Sequence, residues 1–169
     1  MRGFSLLLWL VVSTAAAQEP LPGIAETTRA ESTPPPPPTR EQLRYMEGLR
    51  SAGRGVAQLK DAVSRVNSSK RDAQRLKQAA RRLGGLCGTA RGFMTAGRAK
   101  MQPTAYQDST RLKARRLSLQ VDSLIRSAPN CESNAARQPD STAASLLTRI
   151  KAYDTALKDF RAALAVPHR

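Results

Sequence analysis

Residues 146–164 read LLTRIKAYDTALKDFRAAL, and within them Leu146, Ile150, Tyr153, Leu157, Phe160 and Leu164 follow one another at alternating steps of four and three. Steps of that size return a side chain to the same face of an α-helix, whereas a strand would bring one back every second residue. The stretch is therefore an amphipathic helix, and its apolar stripe demands burial against other helices. Asp140 is read as its N-cap. No other part of the chain is as regular, so this pattern sets the class against which the remaining segments are read.

Toward the N-terminus, Thr104 to Ala128 places Tyr106, Ala114, Leu117, Val121, Leu124 and Ala128 on one face, with Leu112, Leu119 and Ile125 widening the stripe. Pro129 and Asn130 are expected to end it. Further back, Thr39 with Gln42 three residues on is a capping-box start. Leu43, Met46, Leu49, Ala52, Val56, Leu59, Val63 and Val66 then recur at helical spacing. Gly48, Gly53 and Gly55 weaken that helix by roughly 1 kcal/mol each, so packing must hold it. Asn67-Ser68-Ser69 offers a break, with Ser69 and Asp72 capping a second helix that runs through Leu83 and stops at Gly84 and Gly85; the alternative reading has the first helix run through without breaking. Leu86 to Met101 is rich in small residues and reads as a short, irregular helix, in which Gly88 and Gly92 would let a neighbouring backbone come close. Pro103 interrupts it. The sum is an all-α, small antiparallel helical bundle of three to four main helices over residues 40–165. A long coiled-coil dimer competes, because a heptad seam serves either architecture.

The first residues speak to compartment. Arg2, the apolar run from Phe4 to Val12, and Ala15-Ala16-Ala17 have the form of a secretory signal peptide over residues 1–17, cleaved after Ala17. The expected location is periplasmic or secreted, with no transmembrane segment in the mature chain. Cleavage removes Trp9, the only tryptophan. Residues 18–39 hold seven of the eleven prolines, five of them consecutive from Pro34 to Pro38. Such a stretch cannot bury enough surface to repay its ordering and reads as a Pro-rich disordered linker. Residues 166–169 read as a disordered C-terminus.

In an exported chain Cys87 and Cys131 have one intramolecular pairing, and a structural disulfide between them is expected. Two Cys and one His cannot complete a four-ligand zinc site, and no CxxCH haem attachment occurs. No GxxxxGK[ST] or GxGxxG phosphate loop is found. No cofactor or metal is expected. His168, the sole imidazole, is the penultimate residue and a poor base for nucleophilic catalysis. Glu41, Glu47, Asp61, Asp72, Asp108, Asp122 and Asp154 each have Arg or Lys three or four residues on, as on a solvated helix face, so carboxylates held free for acid–base work are not expected. The chain is read as a non-enzyme.

Charge is what remains. The chain carries 28 Lys and Arg against 13 Asp and Glu, and between Arg65 and Arg116 there are fourteen bases and two acids. Arg71, Arg75, Arg81, Arg82, Arg111, Arg115 and Arg116 are the expected anion contacts, each offering a charge and a hydrogen-bonding fork. A merely solvated basic face is the plain alternative. Few aromatics lie in this region, so nucleic acid is an unlikely partner. Anionic lipid, lipopolysaccharide or acidic polysaccharide surfaces fit better. The competing role is a protein–protein assembly module that self-associates through the Leu146–Leu164 seam.

Overall fold

The computed structural model describes residues 37–165. The expected signal peptide, nearly all of the Pro-rich linker and the last four residues, His168 among them, lie outside that range. Four helices follow one another, α1 (Arg40–Ser68), α2 (Ala73–Arg98), α3 (Asp108–Asn134) and α4 (Pro139–Ala165), with a short 3-10 turn at Pro103–Ala105. No strand occurs among the described residues. Each helix packs on its sequence neighbour and α4 closes back on α1, which makes an up-down-up-down antiparallel bundle.

The first helix begins as its sequence dictates. Thr39 accepts from the Gln42 amide at 3.2 Å and gives its own amide to the Gln42 side chain at 2.9 Å. Leu49, Ala52, Val56, Leu59, Val63 and Val66 then face inward. The first turn departs from expectation. Leu43 and Met46 are exposed, and Tyr45 and Gly48 take the inner face. The cause is the close approach of α2: a Cβ at Gly48 would lie 2.5 Å from the Gly97 carbonyl oxygen, and one at Gly55 would lie 2.6 Å from that of Ala90. Glycine at these positions lets two backbones meet, which turns the 48–52–55 edge toward α2 and Tyr45 toward α3 and α4. Gly88 and Gly92 do not serve that purpose. Gly92 has nothing within 4 Å of its would-be Cβ, and Gly88 faces the Glu132 carboxylate.

Four helix ends differ from the sequence reading, the first being the start of α3, which opens at Asp108 rather than Thr104 because Pro103–Ala105 form the 3-10 turn. The break after α1 falls where Asp72 caps α2, its carboxylate accepting from the Gln74 and Arg75 amides, both at 3.0 Å. However, α2 does not stop at Gly84 and Gly85, nor is Leu86 to Met101 a separate element. Leu83, Cys87, Ala90 and Met94 continue one buried face across the glycines, and burial worth roughly 1.5–3 kcal/mol per large side chain outweighs about 1 kcal/mol per glycine. Similarly, α3 runs through Pro129 and Asn130 to Asn134, because the buried face continues from Ala128 before the proline to Cys131 and Ala135 beyond it, and Cys131 is bonded to Cys87. Pro139 opens α4, and Asp140 sits in the first turn as an ion-pair partner of Lys70 at 3.1 Å rather than as a cap.

The disulfide joins Cys87 in the middle of α2 to Cys131 near the end of α3, with Cα atoms 6.1 Å apart. At the other end of the bundle Tyr45, Tyr106 and Phe160 form a triad with centroids 5.2–5.3 Å apart. Within it the Tyr45 hydroxyl donates to the Ala114 carbonyl at 2.9 Å, tying α1 to α3 across the bundle. Leu146, Ile150, Tyr153 and Phe160 of the α4 seam are buried in this chain's own core.

Candidate functional site

All seven arginines singled out from the sequence are exposed, and the fold separates them into two groups. Arg71, Arg75, Arg81 and Arg82 lie in the turn before α2 and along its first half. Arg111, Arg115 and Arg116 lie on the first half of α3. Because α2 and α3 are antiparallel and meet at Cys87–Cys131, the twenty residues from Arg111 to Cys131 alone put roughly 30 Å between the groups. The seven cannot grip one compact ligand.

The first group is an exposed strip. Arg75 pairs with its own cap residue Asp72 at 3.2 Å and Lys70 with Asp140, while Arg71, Arg81 and Arg82 have no carboxylate within ion-pair distance among the described residues. The second group borders a depression of about 480 Å³ lined by Arg98, Pro103, Thr104, Arg111, Leu112, Arg115, Ser118 and Leu119. Three elements build it: the end of α2 delivers Arg98, the 3-10 turn forms one wall, and α3 supplies the rest. Asp108, which opens α3, adopts φ 45°, a left-handed conformation that Asp tolerates better than most side chains and that reorients the chain from the turn into the helix. No acid lines the depression. Asp122 beside it is already held by Arg98 at 2.9 Å, and Asp159 faces Arg116 at 3.8 Å and Lys113 at 4.0 Å.

The acids are spent elsewhere than their spacing implied. Of the seven local pairs expected along single helices, Asp61–Arg65 and Asp72–Arg75 form, whereas Glu47, Asp122 and Asp154 reach across to Lys100, Arg98 and Lys60. The Lys100 ammonium, by hydrogen bond and charge, holds Glu47 below the ordinary carboxylate range. Burial pushes the Tyr45 hydroxyl up to about 12, against a smaller opposing pull from Ser118, and raises Tyr106 and Tyr153 in the same direction. These are core tyrosines kept neutral, with no partner arranged to take a proton.

Leu112 and Leu119, like Leu43, Met46 and Leu164, were assigned to apolar stripes by the sequence and are exposed. They are the most exposed large apolar side chains apart from Leu43, at 67% and 51%, and not part of the core stripe. A signal was present: each stands two residues from a true stripe position, Ala114 or Leu117, and two residues turn a helix by roughly 200°. They therefore share the outer face of α3 with Arg115 and Arg116.

Among the described residues no helix is long and apolar enough to cross a membrane, and no cluster of three or more His, Cys, Asp or Glu occurs. No family model, curated protein or solved structure matches the chain.

Proposed function

We propose that this chain is an exported, non-enzymatic binding protein that contacts anionic envelope or extracellular surfaces through its basic groups, with the Arg98–Arg111–Arg115 depression as the principal contact. The observation that carries the reading is convergence: two helices direct three arginines to one concave surface that no acid lines, where Arg98 is paired with Asp122 and Arg111 and Arg115 have no carboxylate within ion-pair distance among the described residues. Arginine suits that task because its guanidinium stays charged and forks onto phosphate or carboxylate oxygens. The exposed strip on α2 adds long-range attraction, which salt weakens.

Retention on anionic vesicles, lipopolysaccharide and an acidic polysaccharide, measured as salt is raised, tests this. The variant Arg111→Gln/Arg115→Gln/Arg116→Gln is expected to lose at least tenfold in affinity, and Arg71→Gln/Arg75→Gln/Arg81→Gln/Arg82→Gln to lose less. Unchanged retention for both would remove the proposal. Export is tested by sequencing the N-terminus of the protein recovered from its host, where a start after Ala17 is expected. An assembly role through the α4 seam would need residues that are buried here, so self-association would have to use other surfaces. Sizing at two ionic strengths separates a monomer from an oligomer that persists in high salt.

A further inference from the structure

We infer that the anionic surface is a lipid bilayer, and that Leu112, Arg115, Arg116 and Leu119 on the outer face of α3 form a shallow anchor in its interface. This rests on the electrostatic reading above and narrows it. The four residues stand at i, i+3, i+4 and i+7, so they form one continuous stripe two turns long. All four are exposed, and Arg111 flanks the stripe beside the depression.

The chemistry of that stripe distinguishes a bilayer from a soluble polyanion. A polysaccharide rewards the arginines alone and leaves two leucines in water. At a bilayer the guanidinium groups meet phosphates while their methylene stems and the leucines enter the headgroup boundary, so charge and apolar area contribute together. Of the acids near this face, Asp122 and Asp159 are occupied by Arg98 and by Arg116 and Lys113, and Asp108, four residues before Leu112, bounds the stripe at its N-terminal end. Leu43, Met46 and Leu164, the other exposed large apolar residues, lie at the same end of the bundle, on the beginning of α1 and the end of α4. The strip carrying Arg71, Arg75, Arg81 and Arg82 has no exposed large apolar residue beside it. Contact is peripheral, since no described helix can span the hydrocarbon.

Co-sedimentation with vesicles of phosphatidylglycerol and phosphatidylcholine, run beside retention on a sulfated polysaccharide, tests the anchor. Both the full chain and the chain beginning at Gln18 are used, so that the apolar run near the N-terminus does not mask the effect. Leu112→Ser/Leu119→Ser is expected to weaken vesicle binding at least tenfold, to leave polysaccharide retention unchanged, and to make the residual vesicle binding as salt-sensitive as that retention. Arg111→Gln/Arg115→Gln/Arg116→Gln should weaken both. If the serine variant binds vesicles as the parent does while the arginine variant does not, the anchor is wrong and the electrostatic reading stands. If the arginine variant changes neither, that reading itself fails. Loss of both ligands in the serine variant also overturns the anchor, because the leucines would then not be reading lipid.

Discussion

The two ends of the bundle both carry arginine clusters, yet they are built differently. Around Tyr45, Tyr106 and Phe160 the helices are drawn together by three aromatic rings and by Gly48 and Gly97 in backbone contact, and apolar side chains remain outside: Leu43, Met46, Leu112 and Leu164. Toward the beginning of α2 and the end of α3 a disulfide takes over from aromatic packing. The nearby α3–α4 groove there is lined by Asn130, Asn134, Gln138, Ser141 and Thr142, with no large apolar residue exposed. Net charge alone would rank these ends together. What separates them is the company the charges keep: arginine beside leucine suits an interface between water and hydrocarbon, and arginine beside amides and hydroxyls suits water.

That contrast can be broken or sharpened by substitution, beginning with the largest effect. Removing the disulfide with Cys87→Ser/Cys131→Ser opens a loop with a sequence separation of 44. The loss is expected to be about 4 kcal/mol in equilibrium denaturation, by the chain-entropy account. Hydrogen exchange should show the first half of α2 loosening before the aromatic end. A loss below about 1 kcal/mol would mean that packing, not the covalent bond, holds that end.

Next in size is the response to alkali at the aromatic end. The Tyr45 hydroxyl is raised to about 12 by burial, so its protonated form is the one the fold favours. Stability from this group is fully present below pH 10 and is lost as pH rises toward 12, by roughly 3 kcal/mol. Circular dichroism across that window should show the loss, and Tyr45→Phe should reduce it to the part that Tyr106 and Tyr153 contribute, while costing about 0.5–1.5 kcal/mol at neutral pH, because the Ala114 carbonyl loses its second donor and keeps its helical bond from the Ser118 amide. Equal alkaline sensitivity in the two proteins would contradict the assignment.

Glycines give an opposed pair of smaller effects. Gly48→Ala forces a methyl into the α2 backbone and is expected to cost about 1–3 kcal/mol. Gly92→Ala, with open space around it, should stabilise by up to about 1 kcal/mol. Thermal melts of both decide whether the close approach of α1 and α2 is real. Smallest of all, Leu112→Ser and Leu119→Ser should each stay within about 0.5 kcal/mol of the parent, whereas Leu117→Ala, fully buried, should cost about 2–5 kcal/mol. A serine variant as destabilised as Leu117→Ala would return those leucines to the core.

Much of the fold was legible before any coordinates. The α4 stripe from Leu146 to Phe160 and the Thr39 and Asp72 caps rest on local signals that nothing in the tertiary structure opposes, and the Cys87–Cys131 pair rests on there being only two cysteines; Leu164, the last stripe position, is exposed instead. Gly84, Gly85 and Pro129 were misread for the converse reason. Each is a local stop signal worth about 1–3 kcal/mol, and the buried residues on either side of it are worth more. The rotated first turn of α1 was not legible at all, since it depends on which glycines face α2, a fact about two helices rather than one. The candidate site was half legible: its arginines were visible from composition, but their division between two ends follows from the antiparallel pairing of α2 and α3. The exposure of Leu112 and Leu119 was available from the helical wheel, and was hidden by counting apolar residues instead of their angles.

The unequal ends are tested most directly by placing one tryptophan in each. In a Trp9→Phe background, Leu119→Trp reports from the α3 face and Gln78→Trp, exposed among Arg75, Lys77, Arg81 and Arg82, reports from the α2 strip. On phosphatidylglycerol vesicles carrying a brominated lipid, emission from position 119 should shift to the blue and be quenched, while emission from position 78 stays that of a solvated indole. Equal quenching at the two positions, or quenching at 78 alone, would contradict the account.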